Sequence, residues 1–147
     1  METEQIKIRP AAKSDIERVT EIDVKNTGLE KAAYWRDMFD RYGEREGRFF
    51  LIAEYEGEAY GFIIGEVRAW EFGSPPCGWI FAIGVDPDAR LKKTGSQLFD
   101  AICSNLKASG VDKVRTMLAR DDSLNMAFFR SQGMMGGPFI QLEMPLD

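Results

Sequence analysis

The sequence predicts an α/β (α+β) fold, in which a mixed, mostly antiparallel central sheet carries helices on both faces. Three observations predict it. A chain of 147 residues suits one domain with a hydrophobic core. Predicted strands follow one another directly in the middle of the chain, and strands alternate with helices in the last third. No repeat, low-complexity segment or linker interrupts the chain, so we expect one domain over residues 1–147.

The first third of the chain predicts one strand and two helices. Gln5 to Arg9 has the alternation of a short strand. Ser14 and Glu17 have the spacing of a capping box, in which both side chains satisfy free backbone donors at a helix start. The inner face of that helix would be formed by Ile16, Val19 and Ile22. A second helix is expected from Leu29 to Tyr42, because its apolar residues recur at helical spacing.

The middle of the chain predicts a strand meander. Phe49–Tyr55 and Ala59–Arg68 read as strands joined by a tight turn at residues 56–58. Gly78–Val85 follows as a further strand. Its alternating large side chains are expected on one face: Trp79, Phe81, Ile83 and Val85.

The last third predicts alternating helices and strands. Thr94–Ala108 reads as an amphipathic helix, and Lys113–Leu118 as a strand. Ser123–Ser131 reads as a short helix that Ser123 caps. The alternation of Ile140–Met144 predicts a closing strand.

Composition excludes several kinds of chemistry. The chain contains no histidine, which excludes Ser-His and Cys-His nucleophile pairs and histidine-containing metal sites. The two cysteines are too few for a zinc cluster, so no metal is expected. General base work would then fall to a carboxylate, a tyrosine, a lysine or water. The net charge of -5 argues against general nucleic-acid binding, which needs a basic surface.

The sequence also predicts a cytoplasmic protein that does not enter a membrane. No stretch approaches the roughly 20 apolar residues that a membrane span requires. The charged N-terminus, from Met1 to Lys13, lacks the apolar run of a signal peptide.

The segment from Val85 to Gln97 carries the clearest functional signal. A buried strand ends at Val85, and an amphipathic helix begins near Thr94. The first amide groups of a helix attract anions, and Gly95 allows close approach to the backbone. Basic side chains in this loop add positive charge: Arg90, Lys92 and Lys93. The segment therefore suits a pyrophosphate, although an ordinary strand-turn-helix with a solvated basic loop would have the same pattern.

This segment resembles the coenzyme A motif of the GCN5-related N-acetyltransferase (GNAT) superfamily. That motif is Val-x-Pro-x-x-Arg followed by Arg/Gln-x-x-Gly-x-Gly/Ala. Val85, Pro87 and Arg90 match its first part, and Arg90 and Gly95 match its second. Lys93 departs from it, since the family usually has glycine there.

Two further segments resemble the same family. Residues 128–134 are similar to its late-helix signature, commonly Phe-Tyr-x-x-x-Gly-Phe. The start of the chain, at residues 8–11 and Asp15, resembles the family's first strand and helix start. The resemblance therefore spans nearly the whole chain.

The resemblance implies transfer of an acetyl group from acetyl-CoA to the amine of a small molecule or a protein. Strand backbone would hold the pantetheine arm and the loop would hold the pyrophosphate. The implied cofactor-binding residues are Ile83, Gly84, Val85, Arg90, Leu91, Lys92, Lys93, Thr94, Gly95, Ser96, Gln97, Asn125 and Phe129. A homodimer is a candidate assembly.

The resemblance specifies the general acid, the general base and the acceptor site less fully than the cofactor site. Many family members have a tyrosine where this chain has Phe129, which has no proton to give, so water or another tyrosine would serve as the acid. Glu66 is the candidate base; alternatively it faces solvent or pairs with Arg68. Tyr34 and Trp35 fall where the family often borders its acceptor site, although core packing equally explains the spacing of Trp35.

Two other functions stay open at this stage. The departures at Lys93 and Phe129 are compatible with a non-catalytic acyl-CoA-binding or sensor domain of the same fold. A small α/β domain that binds another phosphorylated ligand, or only a protein partner, is the third reading.

Overall fold

The structure is a computed structural model, and it describes residues 6–43, 45–89 and 93–146. It forms two compact units, Met1–Met117 and Leu118–Asp147, which are described separately below. The expectation of one domain over residues 1–147 stays a prediction. The predicted cofactor-binding residues Arg90, Leu91 and Lys92 lie outside the described residues.

The first unit contains five strands and three of the helices. In chain order these are β1 (Lys7–Pro10), α1 (Ile16–Thr27), α2 (Ala32–Tyr42), β2 (Arg48–Tyr55), β3 (Glu58–Arg68), β4 (Cys77–Val85), α3 (Thr94–Ala108) and β5 (Val114–Thr116). The strand order in the sheet is β1-β2-β3-β4-β5. All neighbours are antiparallel except β4 and β5, which are parallel. This arrangement confirms the predicted mixed, mostly antiparallel sheet.

Helices cover both faces of this sheet, as predicted. On one face, α1 and α2 bury a core against the middle strands; its members include Val19, Ile22, Trp35, Met38, Phe50, Ile52, Phe62 and Ile64. On the other face, α3 packs on β3 and β4 at very short range. A Cβ atom at Gly78 would lie 2.6 Å from the Leu106 side chain, and one at Gly65 would lie 2.9 Å from Ile102. At Gly65 a Cβ would also lie 2.7 Å from the Trp79 carbonyl oxygen, so glycine is required there, whereas at Gly78 a Cβ would force the Leu106 side chain to move.

A β-bulge interrupts β4, so its side chains do not alternate as the sequence predicted. Ile64 lies opposite Ala82, whereas the next residue, Gly65, lies opposite Ile80, so Phe81 is the extra residue. A bulge reverses the facing of all later side chains. Trp79 and Phe81 therefore share the α1/α2 face, while the register places Ile83 and Val85 on the α3 face, opposite Ile63 and Gly61. The prediction of one common face is wrong because sequence spacing does not reveal an inserted residue.

Both predicted helix caps also require correction. At α1 the described hydrogen bonds involve Asp15 rather than Ser14: its Oδ2 accepts from the Ala12 amide at 2.7 Å. A short 3₁₀ turn at Lys13–Asp15 precedes α1 and shifts the helix start beyond Ser14. At α4 (Ser123–Ser131) the cap is Asp122, whose side chain accepts from the Asn125 amide. At α4 a carboxylate therefore replaces the predicted serine hydroxyl, whereas the N-cap residue of α1, Asp15, makes no side-chain cap hydrogen bond.

The second unit contains α4 and a C-terminal segment without regular secondary structure. The predicted strand at Ile140–Met144 is not formed, and Ile140 and Leu142 are each 84% exposed. No strand among the described residues pairs with this segment, and a segment without a paired neighbour lacks the hydrogen bonds that define a strand. The helices in the described part of the chain are too short or too polar to cross a membrane.

Candidate active site

The candidate site begins where β4 separates from β5. The two strands pair only from Gly78 to Ile80, opposite Val114 to Thr116. The Thr116 hydroxyl donates to the Ile80 carbonyl at 2.9 Å at the end of this paired stretch. Beyond it, no strand of the described chain pairs with the outer edge of Phe81–Val85. Backbone donors and acceptors on such an edge can bind an extended ligand as an additional strand would.

The β4 bulge and the strand separation occur at adjacent residues. Phe81, the bulged residue, directly follows Ile80, the last residue paired with β5. The bulge bends the strand and increases its twist, which accounts for the loss of pairing with β5. Gly84 further along lies over the Phe62 ring, where a Cβ would be 2.6 Å from a ring carbon. The predicted site residues Ile83, Gly84 and Val85 thus pair with β3 and lie on the stretch of β4 that β5 does not reach.

The start of α3 lies at the other end of the candidate site. The helix begins at Thr94, as predicted, with Lys93 as its N-cap. Lys93 is exposed and adopts left-handed backbone angles, φ 64° and ψ 17°. Glycine adopts this conformation without steric cost, so Lys93 holds the geometry for which the motif usually supplies glycine. Gly95, Ser96 and Gln97 are half-buried in the first turn.

A charged network ties the turn after β4 to α1. Asp86 is 4% exposed and accepts a hydrogen bond from Arg18 Nη2 at 2.6 Å. Lys25 Nζ lies 3.1 Å from Asp86 and 3.2 Å from Asp88. Asn26 donates from its side chain to the Val85 carbonyl at 3.1 Å. These contacts fix the turn on which the basic loop begins.

The electrostatics of Asp86 follow from this network. Burial alone would raise the pKa of Asp86, but hydrogen bonds from the Asp88 amide, Arg18 and Lys25 outweigh burial and lower it from 3.8. The same contact with Asp86 raises the pKa of Lys25. Asp86 is therefore a structural anion rather than a proton donor at neutral pH.

Glu66 belongs to a group of six side chains that we call the arginine–aromatic cluster. Its members are Tyr42, Arg48, Glu66, Arg68, Trp79 and Phe81. Glu66 is 13% exposed, with Arg48 Nε at 3.4 Å and Arg68 Nε at 3.1 Å. The Arg68 guanidinium carbon lies 5.0 Å from the centroid of the Trp79 ring and 4.6 Å from that of the Phe81 ring. The pairing of Glu66 with Arg68, which the sequence left open, is therefore observed.

The two predicted acceptor-site residues differ in position. Trp35 is 3% exposed, packs edge-on against Phe62, and donates from Nε1 to Asp23 at 3.1 Å. This burial supports the core-packing alternative for Trp35. Tyr34 is half exposed, and Lys31 Nζ lies 5.8 Å from its ring centroid. A role of Tyr34 in acceptor binding stays a prediction.

The remaining predicted residues lie in the second unit. Asn125 donates from its side chain to Asp122 at 2.8 Å, near the start of α4. Phe129 is buried, and its ring centroid lies 5.3 Å from that of Phe128. Their roles in cofactor binding stay predictions.

Two features of the site were missed by sequence reasoning. The partners of Asp86 come from α1, about 60 or more residues away along the chain, and nothing in the local pattern indicates them. The bulge at Phe81 also has no sequence signal, although the frequent glycines of β3 and β4 hint at irregular strands.

The sheet therefore has a split between β4 and β5, and β4 precedes the helix start at Thr94 along the chain. The model of the Acetyltransferase (GNAT) family matches residues 16–134. Because this match covers most of the chain, the chain belongs to the GNAT acetyltransferase family. The predicted membership of the GNAT superfamily is thereby confirmed.

The individual relatives match only part of this chain, at about 30% sequence identity. An L-2,4-diaminobutyric acid acetyltransferase of Nocardia farcinica is 29% identical over 79 residues, which are 54% of this chain and 39% of the relative. A mycothiol acetyltransferase of Saccharomonospora viridis is 32% identical over 88 residues, 58% of this chain and 29% of the relative. The chain thus matches well under half the length of these curated relatives.

A solved structure shows the same fold. The crystal structure of an aminoglycoside N-acetyltransferase in complex with CoA has a TM-score of 0.81 and 16% identity to this chain. The match covers 95% of this chain and 94% of that chain.

Proposed function

We propose that this chain is an N-acetyltransferase that transfers the acetyl group of acetyl-CoA directly to an amine. The observation that carries the proposal is the outer edge of Phe81–Val85, on the strand that precedes α3 along the chain. Family membership supports it, as do the two relatives named acetyltransferases. The proposal includes a cytoplasmic location, in line with the sequence-based expectation.

The described residues fit a CoA-type ligand. Pantetheine contains amide groups, which can pair with the backbone of Ile83 to Val85 as a strand would. The first turn of α3 offers amide groups and a favourable dipole to a pyrophosphate. Lys93 and Gly95 lie at that turn, and the proposed contribution of Arg90 to Lys92 rests on the sequence.

The proposed chemistry assigns a separate task to each group. Acetyl-CoA, when bound, supplies an acetyl thioester; a nitrogen–carbon bond forms and the carbon–sulfur bond breaks. A backbone N–H at the end of β4 would donate to the thioester carbonyl, where negative charge develops. Glu66 would take the proton that the amine loses, through water. Water or a tyrosine would protonate the thiolate, since Phe129 cannot.

Charge reversal in the loop tests the donor site. Arg90→Glu combined with Lys93→Glu should weaken acetyl-CoA binding by about 10-fold or more, because the loop would repel the pyrophosphate. Calorimetry measures the affinity. Lys107→Glu with Lys113→Glu is the matched control, since it changes the net charge equally near the opposite end of α3. Equal affinities of the two double variants would contradict the pyrophosphate role of the loop.

Turnover tests the reaction itself. Release of free CoA thiol should rise above acetyl-CoA hydrolysis when amines are supplied. Binding of acetyl-CoA without turnover for any amine would instead favour the acyl-CoA-binding or sensor function. Absence of binding would contradict both.

A further inference from the structure

The arginine–aromatic cluster lies beside the point where β4 leaves β5. Phe81 immediately follows the last residue of β4 that pairs with β5, and the Arg68 guanidinium carbon lies 4.6 Å from the Phe81 ring centroid. In the proposed enzyme the thioester would lie along this same stretch of β4. A group bound at Arg68 would therefore be held about one side chain away from the reacting centre.

We propose that Arg68 binds a carboxylate carried by the acceptor, so that the chain selects amines that also carry an acidic group. This inference rests on the proposed acetyltransferase function and adds the acceptor class to it.

The hydrogen-bonding state of Arg68 supports this role. Its polar contacts with described residues are made through Nε, with Glu66 at 3.1 Å and Glu71 at 3.9 Å. Its terminal nitrogens donate to no acceptor in the described part of the chain. The side chain is 34% exposed. Two terminal nitrogens therefore remain for a ligand, and their fork matches the two oxygens of a carboxylate.

The neighbours of Arg68 hold this fork in place. Glu66 binds the Nε side of the guanidinium, and Trp79 and Phe81 provide aromatic surface next to it. Guanidinium groups are stabilised near aromatic rings. Arg48, by contrast, makes contacts through two of its nitrogens. Its Nη1 donates to the Arg41 carbonyl at 3.0 Å, and its Nε lies 3.4 Å from Glu66. Arg68 is thus the arginine of the cluster that is oriented and still able to bind.

The charge of the cluster favours a carboxylate over a phosphate. Glu66 lies 3.1 Å from Arg68, and Glu71 adds a second negative charge nearby. A doubly charged phosphate would be repelled more strongly by these carboxylates than a singly charged carboxylate would. A bidentate pair with one carboxylate uses the two free nitrogens fully.

Matched pairs of amines test the inference. Lysine and cadaverine, or ornithine and putrescine, differ by the carboxylate that decarboxylation removes. For the wild type, kcat/KM should favour the amino acid by about 10- to 100-fold, the range of a charged hydrogen-bonded pair. Arg68→Gln should abolish this preference mainly through KM, and Arg68→Lys should restore part of it. Arg41→Gln is the control, because Arg41 is an exposed arginine that pairs with Asp37 on α2.

Each result decides the question. If both members of a pair react equally well, or if Arg68→Gln keeps the preference while circular dichroism shows an intact fold, the inference is wrong. If acetyl-CoA binds but no amine reacts, the proposed function fails. The carboxylate site is then measured by calorimetry, with lysine and cadaverine titrated into the CoA-loaded protein. Failure of lysine to bind better than cadaverine there would overturn the inference independently.

Discussion

At the scale of single residues, Glu66 illustrates how contacts limit a chemical role. Its carboxylate lies between Arg48 and Arg68. Protonation of Glu66 would therefore weaken both ion pairs. The residue is nevertheless next to the cluster where we propose that the acceptor binds. The base hypothesis and the pairing are therefore compatible, and they predict different kinetics.

Replacement of Glu66 separates these roles. If Glu66 is the base, Glu66→Gln should lower kcat by about 100-fold or more, because general base catalysis typically contributes at least that factor. The KM for acetyl-CoA should be unchanged. Glu54→Gln is the matched control, since Glu54 is also a half-buried strand carboxylate paired with an arginine, Arg9. An unchanged kcat with a raised acceptor KM would assign Glu66 a positioning role through Arg68.

Several single residues could be placed from the sequence, because their chemistry is local. The helix start at Thr94 was predicted at the position where it is observed. The caps at Ser14 and Ser123 were wrong: a 3₁₀ turn at Lys13–Asp15 moves the start of α1 beyond Ser14, and Asp122 rather than Ser123 accepts from the Asn125 amide at α4. Serine and aspartate are similarly good caps, so local pattern does not choose between them.

At the scale of elements, the junction of the loop with α3 depends on one backbone conformation. Lys93 has φ 64°, and a residue with a Cβ is strained by about 1–2 kcal/mol there. The lysine charge beside the proposed pyrophosphate site offers a reason to keep it. The start of α3 thus combines a strained backbone at Lys93 with a positive charge beside the proposed pyrophosphate site.

Two substitutions separate conformation from charge at this junction. Lys93→Gly should raise the free energy of unfolding by about 0.5–1 kcal/mol relative to Lys93→Ala, because only glycine relieves the strain. Both variants lose the same charge, so any difference in their acetyl-CoA affinity reports the loop conformation alone. Urea unfolding and calorimetry provide the measurements. Equal stability of the two variants would show that the left-handed conformation carries no strain.

At the scale of the whole molecule, the buried Asp86 links distant parts of the first unit. It connects the turn after β4 to Arg18 and Lys25 on α1. Asp15 makes a similar link, since it pairs with Arg9 of β1 and its pKa is also lowered, with burial opposing the hydrogen bonds from Arg9 and Ala12. Both carboxylates are more acidic in the folded chain than in the unfolded chain.

These pKa shifts predict the response to acid. Because the folded-state pKa of Asp86 is lower than the unfolded value, its stabilisation is fully present above pH 3.8 and is lost as the pH falls through the folded-state pKa. Asp86→Asn should cost about 1–3 kcal/mol at pH 7 and should lose less stability than the wild type on acidification. Urea unfolding from pH 7 to pH 2 measures both effects. Asp88→Asn, at an exposed position, should change little; an equal loss would contradict the role of Asp86.

The sequence by itself determined the order of the elements from β1 to α4, the mixed sheet, the family and the loop that carries the anion-binding signal. Each of these depends on local periodicity, turn chemistry or a short motif, which a linear pattern contains. Only the tertiary structure decided where β4 bulges, that Asp86 binds α1, that Trp35 is buried, and that Arg68 lies beside the strand separation. These depend on side chains that are far apart in the chain, and their meeting is set by packing and sheet register. Ile140–Met144 shows the same limit: its alternation is typical of a strand, but a strand requires a partner.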